Sequence, residues 1–270
     1  MPETGHGCVL ITGASSGLGA EFARQLAPWS QKMVLVARRE ERLKALEVEL
    51  REIAPDLEVG SIAADLSGEK HRAELGARLA GTAWAPTLLV NNAGMGDYGE
   101  FVSADWSKLD QMMRINMSAL THLTHQFLPG MIQSGGGAIL NVSSLASLLP
   151  IPDFAVYAAT KAYVSSFSEA LRIELREKNV SVLAVCPGPV HTDFGNQARR
   201  SGQREASEMR DWFFAEAEDV VAESLVALAR DQARVYPGWK IALAAAGISL
   251  LPLAALRLIL SSRPRRMSED

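Results

Sequence analysis

Cysteine is scarce in this chain of 270 residues, which contains only Cys8 and Cys186. Both lie in apolar, strand-like runs, where a small buried thiol is an ordinary core residue, so we expect both to be reduced. A secretory signal is lacking as well, because the apolar run that starts at Cys8 ends at Gly13 after only a few residues. These absences favour a protein of the cytoplasm.

Positive charge is not in excess. The formal net charge is -4, and the one dense basic run is Arg263, Arg265 and Arg266 near the C-terminus. A chain without a positive field does not concentrate nucleic acid, so no nucleic-acid partner is expected.

Histidine is infrequent and dispersed. The chain has five histidines: His6, His71, His122, His125 and His191. They form no H-E-x-x-H motif and no cluster with cysteine, which are common arrangements of ligands around a metal. We therefore predict no metal site.

Apolar sequence is abundant: 48% of the residues are hydrophobic and 21% are charged, a balance typical of a globular protein with a large core. Short β-branched runs alternate with helical stretches, which is the pattern of βαβ units. These runs predict strands at residues 8–12, 33–37, 58–63, 87–91, 138–142, 180–186 and 234–236. Helices are predicted to begin near Gly17, Glu40, Glu69, Trp106, Ala155 and Asp219.

The apolar runs lack polar alternation, so their strands should be covered on both faces. No linker, repeat or low-complexity segment divides the chain. We therefore predict one α/β domain over residues 1–270, a Rossmann-type, doubly wound parallel sheet of seven strands with helices on both faces. In such a sheet, ligands bind beyond the carboxyl ends of the strands.

The segment T-G-A-S-S-G-L-G, residues 12–19, follows the first predicted strand and opens directly into an amphipathic helix. Its glycines permit a tight turn in which backbone N–H groups approach a pyrophosphate, whose charge is favoured at a helix N-terminus. We predict a dinucleotide phosphate cradle here, and an ordinary glycine-rich turn is the alternative. The cradle comprises Gly13, Ser15, Ser16, Gly17, Leu18 and Gly19.

Tyr157 and Lys161 are four positions apart in a helical run, so they project from one face of the helix. A nearby ammonium favours the phenolate and is expected to bring the tyrosine pKa closer to neutral pH. Tyr157 could then protonate a carbonyl oxygen during reduction. An exposed helix pair without a catalytic role is the alternative.

A serine is predicted beside the tyrosine. Ser144 closes the strand-like run before Tyr157, and both hydroxyls can therefore meet at one sheet edge, where the serine would hold the substrate oxygen. Ser143 is the alternative, because adjacent strand residues face opposite ways.

Together the motifs resemble those of the classical short-chain dehydrogenase/reductase family over about the first 235 residues. The resemblance rests on the glycine loop, the N-N-A-G segment at residues 91–94, and the serine, tyrosine and lysine at Ser144, Tyr157 and Lys161. It also includes a helix asparagine, Asn116, and a P-G-x-x-x-T segment at residues 187–192.

The resemblance implies roles for several residues. Asn116 would hold a water that joins Lys161 to solvent, with a solvent-facing asparagine as the alternative reading. Lys161 would also bind the nicotinamide ribose. The further cofactor contacts implied are Asp65, Leu66, Asn92, Ala93, Gly94, Tyr157, Pro187, Gly188, Val190 and Thr192. The family is usually dimeric or tetrameric, which implies a homodimer or homotetramer.

The second strand predicts the cofactor. It ends at Ala37, where the family's NAD-specific members usually have an aspartate, and Arg38 and Arg39 follow. A guanidinium can donate two charge-assisted hydrogen bonds to a 2′-phosphate, so we predict NADP(H) in preference to NAD(H), with Arg38 the better candidate. Ser15 could add a hydroxyl donor, and a merely charged helix start is the alternative role of the arginines.

Aromatic side chains cluster where a substrate pocket is expected: Tyr98, Phe101, Phe154, Phe194, Trp212, Phe213 and Phe214. They favour a small apolar carbonyl or alcohol as substrate, although packing beneath long loops is the alternative. Residues 193–217 resemble the family's mobile substrate lid. For Arg199, Arg200 and Arg204 a solvated helix face is favoured over an acidic-substrate site.

The C-terminal extension, residues 240–270, departs from the family pattern. Residues 241–256 carry no charge but are too few to span a bilayer, and Gly247 and Pro252 are expected to interrupt a helix. We predict a pocket cover or subunit contact. An interfacial membrane anchor, helped by the C-terminal arginines, is the alternative.

The sequence therefore predicts an NADP(H)-dependent oxidoreductase that transfers hydride between nicotinamide and an apolar ketone, aldehyde or secondary alcohol. A catalytically silent NADP-binding regulator is the alternative. An epimerase or dehydratase relative should be longer, and a hydrolase using Ser144 and His191 would lack the expected G-x-S-x-G turn.

Overall fold

Strands and helices alternate along the chain in the computed structural model, which describes residues 6–200 and 213–261. The strands are β1 (His6–Thr12), β2 (Ser30–Ala37), β3 (Glu58–Ala63), β4 (Leu88–Asn91), β5 (Gly137–Val142), β6 (Val180–Val185) and β7 (Arg234–Val235). They form one parallel sheet in the order β3-β2-β1-β4-β5-β6-β7. The predicted doubly wound, seven-stranded fold is confirmed.

The helices cover both faces of this sheet. They are α1 (Gly17–Leu26), α2 (Glu40–Ile53), α3 (Glu69–Leu79), α4 (Trp106–Met113), α5 (Leu120–Gln133), α6 (Ala155–Glu174), α7 (Phe194–Ala198), α8 (Ala217–Ala229), α9 (Trp239–Leu250) and α10 (Leu253–Ser261). Leucines and valines of α1, α2 and α8 pack on one face, and those of α3, α5 and α6 on the other.

The central strand β1 shows why its sequence is apolar throughout. Val9 and Ile11 belong to one buried cluster, while Cys8 and Leu10 belong to the other. Because successive strand residues point to opposite faces, a strand covered on both sides must be apolar at every position. Cys8 and Cys186 are both buried free thiols.

The helix that the sequence predicts from Trp106 is interrupted. A π-helical turn, Arg114–Ala119, separates α4 from α5, and the predicted site residue Asn116 lies in it. Widened turns of this kind often occur at functional sites because they re-aim side chains out of the regular helix.

The C-terminal extension also differs from expectation. Gly247 does not interrupt α9, because glycine costs only about 1 kcal/mol in a helix interior, whereas Pro252 lacks an N–H and the helix ends before it. Helices α9 and α10 meet at a bend of 112°. Within the described residues no single helix is long and apolar enough to cross a membrane; only this bent pair passes together.

From β1 the chain adds strands toward one edge of the sheet, in the order β2 and β3, and from β4 it adds strands toward the other edge. Strands β1 and β4 lie side by side at the centre of the sheet. The loops that leave their carboxyl ends therefore diverge and open a crevice, the usual place for a ligand in such a fold.

Candidate active site

The glycine loop joins β1 to α1 by a tight turn. Gly13 and Gly17 have φ angles of +67° and +55°, in the left-handed region that favours glycine. A Cβ on Gly19 would lie 2.3 Å from the carbonyl oxygen of Gly13. Ser16 makes no side-chain capping bond, so the first amides of α1 have no side-chain cap and favour an anion.

The N-N-A-G segment is fastened to the glycine loop. The Asn92 side chain donates to the carbonyl oxygens of Thr12 at 3.0 Å and Gly13 at 3.3 Å. The Thr12 hydroxyl accepts from the backbone N–H groups of Asn92 and Ala93, both at 3.0 Å. These polar groups of Asn92 and Ala93, implied as cofactor contacts, here hold the two loops together.

The two arginines after β2 have different surroundings. Arg39 donates to the hydroxyls of Ser15 at 3.0 Å and Ser16 at 2.7 Å, so it reaches the glycine loop. Arg38 is exposed and its charge acts on Asp65. Burial raises the Asp65 pKa, but hydrogen bonds from Ser67 and the charge of Arg38 outweigh it, and the net shift is downward.

Arg72 is a contributor that the sequence pattern did not single out. Its guanidinium is buried and donates to the carbonyl oxygens of Leu66 at 2.7 Å and Ser67 at 2.9 Å. It therefore holds the Asp65-Leu66 turn from behind. An arginine in an amphipathic helix gives no sequence signal of such a contact.

Ser143 and Ser144 face opposite ways at the end of β5. The Ser143 hydroxyl is buried and donates to the carbonyl oxygen of Lys161 at 2.8 Å. Ser144 lies close enough to the Tyr157 hydroxyl to lower the pKa of that phenol, and its own hydroxyl accepts from the N–H of Ala146 at 3.1 Å. Of the two serines, the structure brings Ser144 to the tyrosine hydroxyl.

Tyr157 and Lys161 are both buried, and burial dominates their titration. Burial raises the pKa of Tyr157 to about 12, against a smaller lowering by the Ser144 hydrogen bond. Burial lowers the pKa of Lys161 to about 8. The amine lies 5.7 Å from the centre of the tyrosine ring and donates to the Val142 carbonyl at 2.8 Å.

The expectation that the ammonium would lower the tyrosine pKa is therefore wrong for this state of the protein. The loss of water around the phenol outweighs the attraction of an amine whose hydrogen bond goes elsewhere. The consequence is a tyrosine that is protonated at neutral pH, as a proton donor must be.

Asn116 is buried rather than solvent-facing. Its amide donates to the Met95 carbonyl at 3.0 Å and to the Thr160 hydroxyl at 2.9 Å, and its Oδ1 accepts from the Met95 N–H at 2.9 Å. Both donors are thus in use, and a relay water would have to donate to Oδ1 or bind the backbone. A Cβ on Gly94 would lie 3.3 Å from this Oδ1 and 3.5 Å from the Lys161 amine.

The segment after β6 closes the other side of the crevice. The Pro187 carbonyl accepts from the Leu145 N–H at 2.8 Å, and Gly188 leaves space for Ile241 of α9. Thr192 lies against Gly17, because a Cβ there would be 3.2 Å from its methyl group. Val190 forms a bridge to Ala215. The P-G-x-x-x-T segment thus spans from the serine turn to the glycine loop.

Three of the predicted aromatic residues form a wall over Tyr157. Phe154 stacks on its ring with centroids 4.2 Å apart, Phe194 lies at 5.5 Å, and Tyr98 meets Phe154 edge-on at 5.6 Å. Only 7% of Tyr157 is exposed.

The remaining predicted aromatics lie elsewhere or are not described. Phe101 and Phe213 are exposed, and Phe214 stacks on His191. Five predicted residues lie outside the described residues: Arg204, Trp212, Arg263, Arg265 and Arg266.

A doubly wound sheet with a glycine loop after β1, and with the half-buried Ser144 beside the buried Tyr157 and Lys161, defines a fold of the nicotinamide-dinucleotide-binding class. The chain belongs to the short chain dehydrogenase family, which its residues 7–203 match.

Two curated relatives are reductases. The very-long-chain 3-oxoacyl-CoA reductase of Homo sapiens is 36% identical over 183 residues, which are 66% of this chain and 57% of that protein. Sulfoacetaldehyde reductase 2 of Chromohalobacter salexigens is 36% identical over 219 residues, which are 78% of this chain and 84% of that protein. The chain therefore spans less than two thirds of the length of the first.

Solved structures with the same fold have been obtained in complex with NADPH and in complex with NAD. A short-chain dehydrogenase from Sphingobium yanoikuyae in complex with NADPH has 31% identity and a TM-score of 0.79, covering 97% of this chain and 98% of that one. A short-chain dehydrogenase/reductase from Burkholderia phymatum in complex with NAD has 26% identity and a TM-score of 0.78, covering 96% and 94%.

The buried amine of Lys161 generates a prediction about pH. The unfolded chain keeps this proton up to its ordinary pKa of 10.5, whereas the folded chain loses it near pH 8. Between these values the unfolded state binds more protons, so the free energy of unfolding increases as the pH rises. Relative to Lys161→Met, the wild type should gain about 2–3 kcal/mol between pH 7 and 10.

Urea unfolding of both proteins at pH 7, 8.5 and 10 measures this difference, in which the titration of Tyr157 cancels. Lys178→Met, at an exposed position, is the control, and its difference from the wild type should be the same at all three pH values. If the free energies of unfolding of wild type and Lys161→Met differed by the same amount at every pH, the pKa of the Lys161 amine would not be lowered in the folded protein.

Proposed function

We propose that this chain is an NADP(H)-dependent reductase, or dehydrogenase in reverse, of apolar ketones, aldehydes or secondary alcohols. The observation that carries the proposal is the buried Tyr157, with the Lys161 amine 5.7 Å from its ring and Phe154 stacked over it, beside Ser144 at the end of β5. A silent regulator of the same fold would not need a proton donor there, which is why the catalytic function is favoured.

The residues present fit a nicotinamide dinucleotide. The glycine loop is a cradle that a Cβ would fill, the N-terminus of α1 has no side-chain cap, and Arg39 reaches the loop. When bound, the nicotinamide supplies or accepts the hydride. Gly94 keeps space free beside the Lys161 amine, whose remaining donors can bind a ribose hydroxyl.

The side chains of this site manage the proton and the substrate oxygen. Ser144 and Tyr157 donate hydrogen bonds to the carbonyl oxygen, and Tyr157 transfers its proton to that oxygen as the alcohol forms. Lys161, with a pKa of about 8, exchanges a proton readily near neutral pH and so can restore the tyrosine. Asn116 holds the loop after β4 against α6 so that the lysine keeps its position.

The substrate class follows from the wall over Tyr157. The rings of Phe154, Phe194 and Tyr98 would contact the groups on either side of the substrate carbonyl. Because these rings are apolar, they favour an apolar substrate. One relative is named for a long-chain oxoacyl thioester and another for a sulfonated aldehyde. Arg200 is committed to Asp97, which favours the apolar class over the anionic one. We propose that the described parts of the segment 193–217, residues 193–200 and 213–217, cover this substrate site; residues 201–212 lie outside the described residues.

Tyr157→Phe should lower kcat by about 10²–10⁴-fold, because it deletes the proton donor, while the Kd for NADPH stays nearly unchanged. The assay follows NADPH absorbance with aryl ketones, medium-chain 3-oxoacyl thioesters and sulfoacetaldehyde. Tyr163→Phe is the matched control, since Tyr163 lies on the same helix but bonds to Thr121 at the surface. A Tyr157→Phe variant that kept more than about a tenth of kcat would refute the assignment.

The cofactor preference rests on the end of β2. Ala37 places no carboxylate there to repel a 2′-phosphate, and Arg39 already shares the hydroxyls of Ser15 and Ser16. The sequence favoured Arg38, but these contacts favour Arg39 as the principal phosphate donor and Arg38 as the weaker one, facing Asp65.

Arg39→Ala should therefore weaken NADPH binding by roughly 10- to 150-fold and leave NADH binding nearly unchanged, since only NADPH has the phosphate. Arg38→Ala should show the same selectivity with a smaller loss. Titration of each variant with both cofactors measures this. Wild-type preference for NADH, or equal losses for both cofactors, would contradict the proposal.

The C-terminal extension presents large apolar side chains to solvent. Trp239, Leu243, Leu250 and Leu258 are all more than two thirds exposed. Exposed apolar side chains concentrated on two consecutive helices are typical of a contact site. We propose that the protein is a homo-oligomer of the cytoplasm and that α9 and α10 contact a second copy.

Leu243→Glu together with Leu258→Glu should convert the oligomer to monomers, because assembly would then bury each new carboxylate in the apolar contact between subunits. Light scattering after size exclusion measures the mass. Val48→Glu, at an exposed position of α2, is the control and should not change it. Sedimentation of the wild type with vesicles would instead support a membrane anchor, and a wild-type monomer would refute the subunit contact.

A further inference from the structure

A carboxylate is buried beside the substrate wall. The side chain of Asp97, in the loop after β4, is 1% exposed. It accepts from the Arg200 Nε at 3.1 and 3.2 Å and from the Lys108 amine at 2.9 Å. Burial raises the pKa of Asp97, but the bonds from Arg200 and Lys108 lower it by more. The net shift is downward, so the carboxylate stays ionised. An ion of this kind persists in a fold only when its partners are in place.

Arg200 joins that carboxylate to the rest of the loop. Its guanidinium also donates to the Glu100 carbonyl at 2.8 Å and to the Ser103 hydroxyl at 2.9 Å. Next to it, the Tyr98 N–H donates to the Ala198 carbonyl at 2.8 Å. Residues 198–200 are thereby fastened along the loop after β4 by both side chain and backbone.

Helix α7 depends on this attachment. It has only five residues, Phe194–Ala198, too few to be stable by itself in water. It lies against Gly96, where a Cβ would be 3.0 Å from the Ala198 Cβ and 3.1 Å from the Phe194 ring. Because Arg200 lies two residues after the end of α7, its contact with Asp97 helps to determine the position of the Phe194 ring over Tyr157.

We propose that Arg200 is a positioning residue for the substrate: by holding the Asp97 carboxylate, it fixes α7 so that Phe194 forms the apolar surface against which the substrate lies at Tyr157. Within the described residues, the hydrogen bonds of Arg200 join it to the loop after β4, at Asp97, Gly99, Glu100 and Ser103. It acts on substrate affinity and leaves the proton donor alone. The proposal rests on the proposed carbonyl reduction.

Arg200→Gln tests this in the full chain. Asp97 keeps Lys108 as a partner, so the variant should remain folded. We expect the KM for the best ketone of the substrate panel to rise by about tenfold or more, with a smaller change in kcat and an unchanged KM for NADPH. Hydrogen exchange of the Tyr98 amide should accelerate by at least about tenfold, since its acceptor belongs to the released segment. Arg200→Lys should recover part of both effects.

Arg172→Gln is the matched control. Arg172 makes the same two-pronged contact with an aspartate, Asp231, with both bonds at 2.7 Å, between α6 and the turn after α8. It should change thermal stability without changing the ketone KM. A ketone KM that stays constant in Arg200→Gln, or rises equally in both variants, would overturn the proposal. A wild type that reduces no carbonyl would instead refute the proposed function itself, and with it the role of Arg200.

Discussion

Helix α6 is attached to the end of β5 through Lys161, with further bonds at Ser165 and Ser168, and the rest of the site depends on that attachment. The Val142 carbonyl accepts from the lysine amine, and the adjacent Ser143 hydroxyl donates to the lysine carbonyl. Side chain and backbone of one residue are thus held by two successive residues of one strand end. Because Tyr157 lies one helical turn earlier, its depth at the sheet edge is determined too, and Ser144 meets its hydroxyl.

Two buried charges serve the two halves of the site in opposite ways. Lys161 has no carboxylate among the groups that act on its titration, and burial brings its pKa down to about 8, where its proton is exchangeable. Asp97 has two cations on it, and its pKa is lowered, so it stays ionised and rigid. A group that must exchange protons benefits from desolvation without a counter-ion, whereas one that must hold a segment in place needs its partners.

The sequence predicts what depends on local pattern. Continuous apolar runs predict strands buried on both faces, and glycines after β1, with Tyr157 and Lys161 one turn apart, predict the phosphate loop and the proton donor. Contacts between distant segments leave no such pattern: the fork from Arg200 to Asp97 and the support of the Leu66 turn by Arg72 arise only when loops meet. The same reason explains why the sequence favours Arg38 although the contacts favour Arg39, since only the fold shows that Arg39 reaches Ser15. The π turn at Asn116 was missed because its residues have ordinary helical periodicity.

The proposed cofactor side and the proposed substrate side of this site are held by different kinds of contact. On the cofactor side, backbone carbonyls and amides of β1 and β4 are joined through Thr12 and Asn92, which are part of the sheet edge itself. On the substrate side, the wall comes from loops, and its position is set by side chains outside the sheet. In the function that we propose, the loop after β4 and α7 can therefore change with the substrate while the chemistry at Tyr157 stays in place, because a fold of this kind accepts different substrates through its loops.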